Sequence, residues 1–264
     1  MEISWLFHAS LPKPIDWVNG WPTVRGGFWA SGSAQASPTA KSSDPQRYVP
    51  TFKQDDQPGS LIASASDEFD QAKLSPQWSW VRPPDPATYR MTGSAFEWDR
   101  QAEDLYVDIK SSSVLTEAAP PGDCVVEVKV AVSVPPSGSG FNYSQAGLII
   151  YRDDDNYIKL VPIPINEARQ TEFAKEVGPV GPGYPRCGNT VVGPPGDWTW
   201  PRIARRQQGA EEAYTAYTSN DGVNWVRGGT WPHRLTTFGR IELVSQSGAG
   251  FTADFDYVRV YSLP

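Results

Sequence analysis

Glu172 and Glu176 are the pair of side chains whose type and spacing come nearest to acid–base chemistry. Cleavage of a glycosidic bond uses two carboxyl groups, about 5–5.5 Å apart for retention and roughly 6.5–9.5 Å apart for inversion. Four positions along one strand separate the backbones by about 13 Å, too wide for that chemistry unless the strand bends or a partner comes from elsewhere. The pair is therefore the first suspect for catalysis, and a complete active site is not expected. Asp153, Asp154 and Asp155 offer carboxylates of the kind that bind calcium, but without the glycine and terminal glutamate of an EF-hand loop they read as a solvated hairpin tip. His8 and His233 lie in different segments with no cysteine at ligand spacing, so a zinc site is not expected. No Gly-x-Ser-x-Gly elbow and no phosphate-cradling glycine loop is present.

The elements that must position these residues are strands. Short alternating segments punctuated by Gly, Pro, Asn or Asp recur at 124–134, 145–151, 156–161, 199–206, 212–218, 238–245 and 251–261, and no long segment has a helical period. The expected fold is an all-β antiparallel sandwich. Because side chains alternate across a sheet, Ala146, Leu148 and Ile150 point inward and leave Gln145 and Tyr151 outward. Burying Ile158 and Leu160 turns Tyr157 and Lys159 outward, and burying Phe173 does the same for Glu172 and Glu176. With Trp80 and Arg82, the outward Gln145, Tyr157, Lys159, Glu172 and Glu176 make the candidate binding set, aromatic rings for stacking on sugars and polar groups for hydroxyls. Trp78 and Trp80 equally suit a core, and Arg82 with Glu172 equally suits an internal ion pair. Ser219 to Trp225, with Asp221-Gly222 as its turn, reads as a structural hairpin.

Composition narrows the partners. The net charge of −7 leaves no basic stripe for phosphates or anionic lipid, so nucleic acid and membrane surfaces are not expected partners. Eleven Trp, eleven Tyr and ten Phe supply both a core and stacking surfaces. Cys124 alternates with Val126, Val128 and Val130 and reads as a buried hydrophobe, whereas Cys187 lies in a loop; the pair does not fix a compartment, and whether the two join is open. No apolar run reaches the roughly 20 residues that span a bilayer, and the opening Met1 to Phe7 lacks the pattern of an export signal. Residues 31–65, rich in Ser, Ala, Pro, Gln and Asp, read as a linker between a short segment at 1–30 and a principal domain at 66–264.

From residue 67 onward the chain resembles the concanavalin A-like C-terminal domain of family 43 glycoside hydrolases, the β-xylosidase and arabinofuranosidase group. The residues that carry the resemblance are Asp67 to Asp70 (Asp-Glu-Phe-Asp), Trp78 to Arg82, Gln145 to Leu148, Asp153 to Leu160, Glu172 to Glu176, Ser219 to Trp225 and Phe255 to Tyr261. Ile15 to Gly27 is similar to the closing segment of that family's catalytic propeller, and residues 1–30 cannot hold the rest of it. The resemblance implies a jelly-roll sandwich that is the tail of a larger enzyme or the partner of a separate propeller chain. Its implied function is non-catalytic contact with plant cell-wall polysaccharide of the xylan or arabinoxylan type. Two alternatives stay open: a domain that packs on a propeller and shapes its active site, with the loop from Gly178 to Gly196 reaching across, and a sandwich hydrolase using Glu172 and Glu176. The family 16 glucanase pattern Glu-x-Asp-x-x-Glu is not found. Related sandwiches hold a structural Ca2+ where the first and last strands meet, which here implies Asp67, Asp70 and Asp256 as its surroundings.

Overall fold

In the computed structural model the described residues are 15–18, 21–24, 56–133, 143–166, 168–178, 180–183, 185–235 and 239–264. They fall in two compact units, divided after Asp55. In the first, β1 (Ile15–Val18) and β2 (Trp21–Val24) form an antiparallel hairpin. The remainder of the expected propeller-like segment and residues 31–55 of the expected linker, as well as His8, lie outside the described residues.

The second unit begins at Asp56 rather than at residue 66, because the end of the expected linker is hydrogen-bonded to the last strand of the sandwich. Gly59 N donates to Ser262 O at 2.8 Å and Ile62 N to Val260 O at 2.7 Å. Composition alone does not reveal such pairing, since backbone ladders leave no apolar period.

Among the described residues of this unit, sixteen strands build two seven-stranded antiparallel sheets and a small ribbon. They are β3 (Ser79–Val81), β4 (Tyr89–Met91), β5 (Phe96–Asp99), β6 (Leu105–Tyr106), β7 (Ile109–Lys110), β8 (Val114–Ala118), β9 (Cys124–Val132), β10 (Gln145–Asp153), β11 (Asn156–Ile165), β12 (Ala168–Glu176), β13 (Cys187–Val191), β14 (Trp198–Gln208), β15 (Glu211–Ser219), β16 (Val226–His233), β17 (Arg240–Gln246) and β18 (Thr252–Ser262). The first sheet runs β13-β12-β11-β10-β17-β8-β3 and the second β16-β15-β14-β9-β18-β5-β4. This is the expected sandwich, with non-sequential neighbours at its centre.

The inward parity holds. Ala146, Leu148, Ile150, Ile158, Leu160 and Phe173 of the first sheet meet Cys124, Val126, Val128, Val130, Phe255 and Val258 of the second in one buried core. Fully burying a side chain such as Phe173 contributes about 1.5–3 kcal/mol, so this interface dominates stability. The outward parity also holds, but its environment differs from expectation. Tyr151 and Tyr157 join Leu105, Val114, Ile149, Val161, Ile163 and Val244 in a second apolar cluster on the outer face of the first sheet. The segment Asp99–Ser113, with the β6–β7 ribbon at its tip, crosses that face as a strap. Gly147 belongs to the same arrangement: at φ +151°, a Cβ on it would stand 2.9 Å from Leu160 O, so only glycine lets β10 and β11 approach this closely.

Candidate functional site

The free part of the outer face lies on β11, β12 and β13, where pairing aligns three rows. Tyr157, Glu176 and Cys187 form one row, Lys159, Ala174 and Asn189 the next, and Val161, Glu172 and Val191 the third. Ala174 is the small residue at the centre, and a half-open cavity of about 150 Å³ stands over it. Tyr106, carried by the strap and 53% exposed, supplies a wall.

Charge inside the site is paired. Lys159 Nζ donates to Gln145 Oε1 at 2.6 Å and lies 3.4 Å from Glu172 Oε1, while Asn189 Nδ2 donates to Glu172 Oε2 at 3.1 Å. An ammonium has three donors and a carboxylate about four acceptor positions, so both groups and Asn189 Oδ1 keep capacity for a ligand. Glu176 differs. Tyr157 Oη donates to its Oε2 at 2.7 Å, Val107 N at 3.0 Å and Cys187 Sγ at 3.1 Å, and Arg186 lies 3.4 Å from Oε1. Burial, followed by the hydrogen bond to Glu176 and its negative charge, pushes the Cys187 thiol up to about 12. Glu176 thus ties the strap, β11 and β13 together, with three donors on Oε2 and one on Oε1.

The structure brings Tyr157, Lys159, Glu172 and Glu176 together, with Gln145 buried behind Lys159. Trp80 and Arg82 are not with them. Trp80 packs at 5.1 Å on Tyr89 and 5.0 Å on Trp98 at the end of the core, because the rings of β3, β4 and β5 close that edge. Arg82 forms a bidentate pair with Asp154 at 2.8 and 2.9 Å and donates to Ser112 O, so the ion pair with Glu172 is not formed. The Asp153–Asp155 tip is an ion-pair hub rather than a solvated turn: Tyr151 and Arg82 meet Asp154, and Lys110 and Arg186 meet Asp155. Tyr106 and Asn189 were not among the expected residues; the strap and the short edge strand β13 carry no periodic signal that points to them. The loop from Gly178 to Gly196 contributes β13 to the first sheet. His233 is buried, its Nε2 donating to Glu176 O and its Nδ1 accepting from Arg234 N, a neutral imidazole favoured by burial, which lowers its pKa. Cys124 is buried in the core, Cys187 half-buried, and both are free thiols. Asp221 accepts from Val223 N and Asn224 N in the hairpin turn, as its spacing suggested.

The residues expected around calcium do not fit one cation. Asp67 accepts from Phe69 N at 2.9 Å, Ser75 Oγ at 2.7 Å and Trp78 Nε1 at 2.9 Å. Asp70 accepts from Gln71, and Asp256 is neutralised by the Lys129 ammonium. Among the described residues no three acidic, His or Cys side chains converge. The pinning of the first and last strands that a cation would provide comes from two backbone hydrogen bonds of 2.8 Å between Asp67 and Val258.

Comparison with known proteins agrees with this architecture. Residues 66–177 match the family profile of the β-xylosidase C-terminal concanavalin A-like domain. None of the curated proteins matches the chain. Among solved structures, the xylan β-1,4-xylosidase of Bacillus halodurans C-125 is similar with a TM-score of 0.60 at 18% identity, over 95% of this chain and 46% of that one. The xyloglucan-locus GH43B of Bacteroides ovatus gives 0.59 at 18% over the same shares. The exoplasmic/lumenal domain of VIP36, in a form bound to Ca2+ and Man2, gives 0.52 at 12% over 77% of this chain and 89% of that one. The chain spans about half the length of the two GH43 structures. The chain thus carries an all-β antiparallel sandwich whose residues 66–177 match the β-xylosidase C-terminal concanavalin A-like domain.

Proposed function

We propose that this sandwich contacts carbohydrate of the xylan or arabinoxylan type without hydrolysing it, as an accessory to a glycosidase of β-xylosidase or α-L-arabinofuranosidase type. The observation that carries the reading is the cavity over Ala174, where Lys159, Glu172 and Asn189 retain hydrogen-bonding capacity beside the exposed ring of Tyr106. Charged groups fixed by their neighbours favour hydroxyl recognition, because little conformational entropy remains to be lost on binding. A non-catalytic role is supported by Glu176, the second carboxyl of the pocket, which is buried and held by Tyr157, Val107 N, Cys187 and Arg186 rather than presented to a ligand. The VIP36 domain, bound to Man2 in its solved form, gives the fold a precedent for sugar contact.

The test is retention of the chain on insoluble xylan, arabinan and β-glucan, with reducing sugar measured in parallel. Retention on xylan without sugar release, lost in Glu172→Gln, is the expected result. Sugar release abolished by Glu172→Gln contradicts the non-catalytic reading.

A second reading, packing on a catalytic propeller, is favoured by the outer face of the second sheet. There Lys129 lies 4.6 Å from the Trp198 ring, Arg202 lies 3.4 Å over Trp225 and Arg259 lies 3.8 Å over Tyr257. Half-exposed tryptophans and arginines are the residues most enriched where proteins meet. On this reading the sandwich raises the stability or activity of a propeller joined to it and retains polysaccharide poorly alone.

A further inference from the structure

We propose that the cavity holds one terminal sugar unit end-on, a chain end or a one-unit branch, and excludes the interior of a polysaccharide chain; this rests on the carbohydrate reading above. Its volume, about 150 Å³, lies well below the roughly 300–1,000 Å³ of pockets that enclose larger ligands. The rows also limit its length. Glu172 and Glu176 flank Ala174 on the same strand face, so the opening between them spans about 13 Å of backbone and less between side chains.

One end of this opening is closed. Glu176 is 1% exposed and locked to Tyr157, Cys187 and Val107 of the strap, which leaves no exit for a chain in that direction. Tyr106 stands over the side. The polar groups with spare capacity are three and close together: the Lys159 ammonium to donate, the Glu172 carboxylate to accept, and the Asn189 carbonyl oxygen to accept. That set suits the several free hydroxyls of a terminal pentose, whereas an internal unit has two of its oxygens tied up in linkages.

The experiment titrates the full chain, by calorimetry, with the methyl glycosides of xylose and arabinose, with linear xylo-oligosaccharides of increasing length, and with arabinoxylan before and after enzymatic removal of its branches. Affinity is expected to vary by less than about threefold with oligosaccharide length, and a methyl glycoside is expected to displace the polymer completely. A loss of binding sites on debranching assigns the unit to branches, and an unchanged number assigns it to chain ends; both support the proposal. Affinity that climbs by about tenfold with each added unit, with methyl glycosides unable to compete, overturns it and leaves the carbohydrate reading standing. Absence of binding to every sugar overturns both. Ala174→Leu, which fills the floor, is expected to weaken every ligand by more than about tenfold. Tyr106→Ala, a change at an exposed position, is the second variant and is expected to weaken all ligands by a similar factor of about two to ten. Unchanged affinity in both variants contradicts the placement.

Discussion

The first sheet buries carboxyl groups on both sides of its centre and treats them in opposite ways. On β12, Glu172 and Glu176 are nearly buried yet surrounded by ammonium, amide, phenol and backbone donors. On β17 and β8, Glu242 and Glu117 are as deeply buried with far less company. Among the described residues neither oxygen of Glu242 has a partner at hydrogen-bonding distance and angle, and Glu117 has one, Gln77 at 2.9 Å. Burial pushes the Glu242 carboxyl well above the ordinary range, against the pull of Thr116 and Arg240. Burial likewise pushes Glu117 up to about 8, opposed by its bond to Gln77. The difference separates roles. Partnered carboxylates keep a polar cavity open on the sheet, whereas unpartnered ones become neutral acids and belong to the packing.

The largest loss of stability is expected at Glu176. Glu176→Ala removes the acceptor that Tyr157, Val107 N, Cys187 and Arg186 share, and is expected to cost about 3–5 kcal/mol in denaturant unfolding, because a buried, hydrogen-bonded carboxylate is lost from the centre of the network. Trp80→Ala is next, at about 3 kcal/mol, since an aromatic side chain leaves a packed cluster. Its effect belongs to unfolding, with sugar affinity unchanged under conditions where the variant is folded. Glu172→Gln keeps the shape of the side chain and is expected to weaken sugar binding by about ten- to a hundredfold, the equivalent of one hydrogen bond to a charged group. Its unfolding midpoint shifts less than that of Glu176→Ala.

The buried neutral acids respond to pH. For Glu117 the folded state holds its proton up to about pH 8, whereas the ordinary value is 4.5. Within that window the folded state binds more protons than the unfolded one, so stability falls as pH rises, by up to about 1.4 kcal/mol per pH unit for each such group. Glu242 contributes in the same direction. Glu117→Gln and Glu242→Gln are expected to flatten the fall, and thermal unfolding between pH 5 and pH 8, values chosen about the bounds of that window, checks it. The smallest expected effect is that of a chelator. With Asp256 neutralised by Lys129 and Asp67 occupied by three donors, EDTA is expected to leave the thermal midpoint within about 1 °C, well under the shift from 1 kcal/mol.

Much of this was legible in the residues. Alternation around Leu148, Ile158 and Phe173 assigns faces, and face assignment is enough to put Lys159 and Glu172 on one surface. Parity does not say what covers a surface. The strap from Asp99 to Ser113 is held largely by single hydrogen bonds, such as Tyr157 to Leu105 O and Gln246 to Asp104, and these leave no period in the sequence. Tyr106 and Asn189 therefore carry no sequence signal, and parity sets Glu176 outward without showing that Tyr157, Val107 N, Cys187 and Arg186 hold it. Trp80 and Arg82 share the sequence neighbourhood of a binding motif, but β3 is the edge strand farthest from β13 in the sheet order.

Recognition of sugar over Ala174 by Glu172 and its neighbours is tested by electrophoresis of the native chain through gels containing soluble arabinoxylan. Retardation of the wild-type chain that disappears in Glu172→Gln and persists in folded Trp80→Ala is the predicted result. Equal retardation of wild type and Glu172→Gln would place the contact elsewhere and contradict the account.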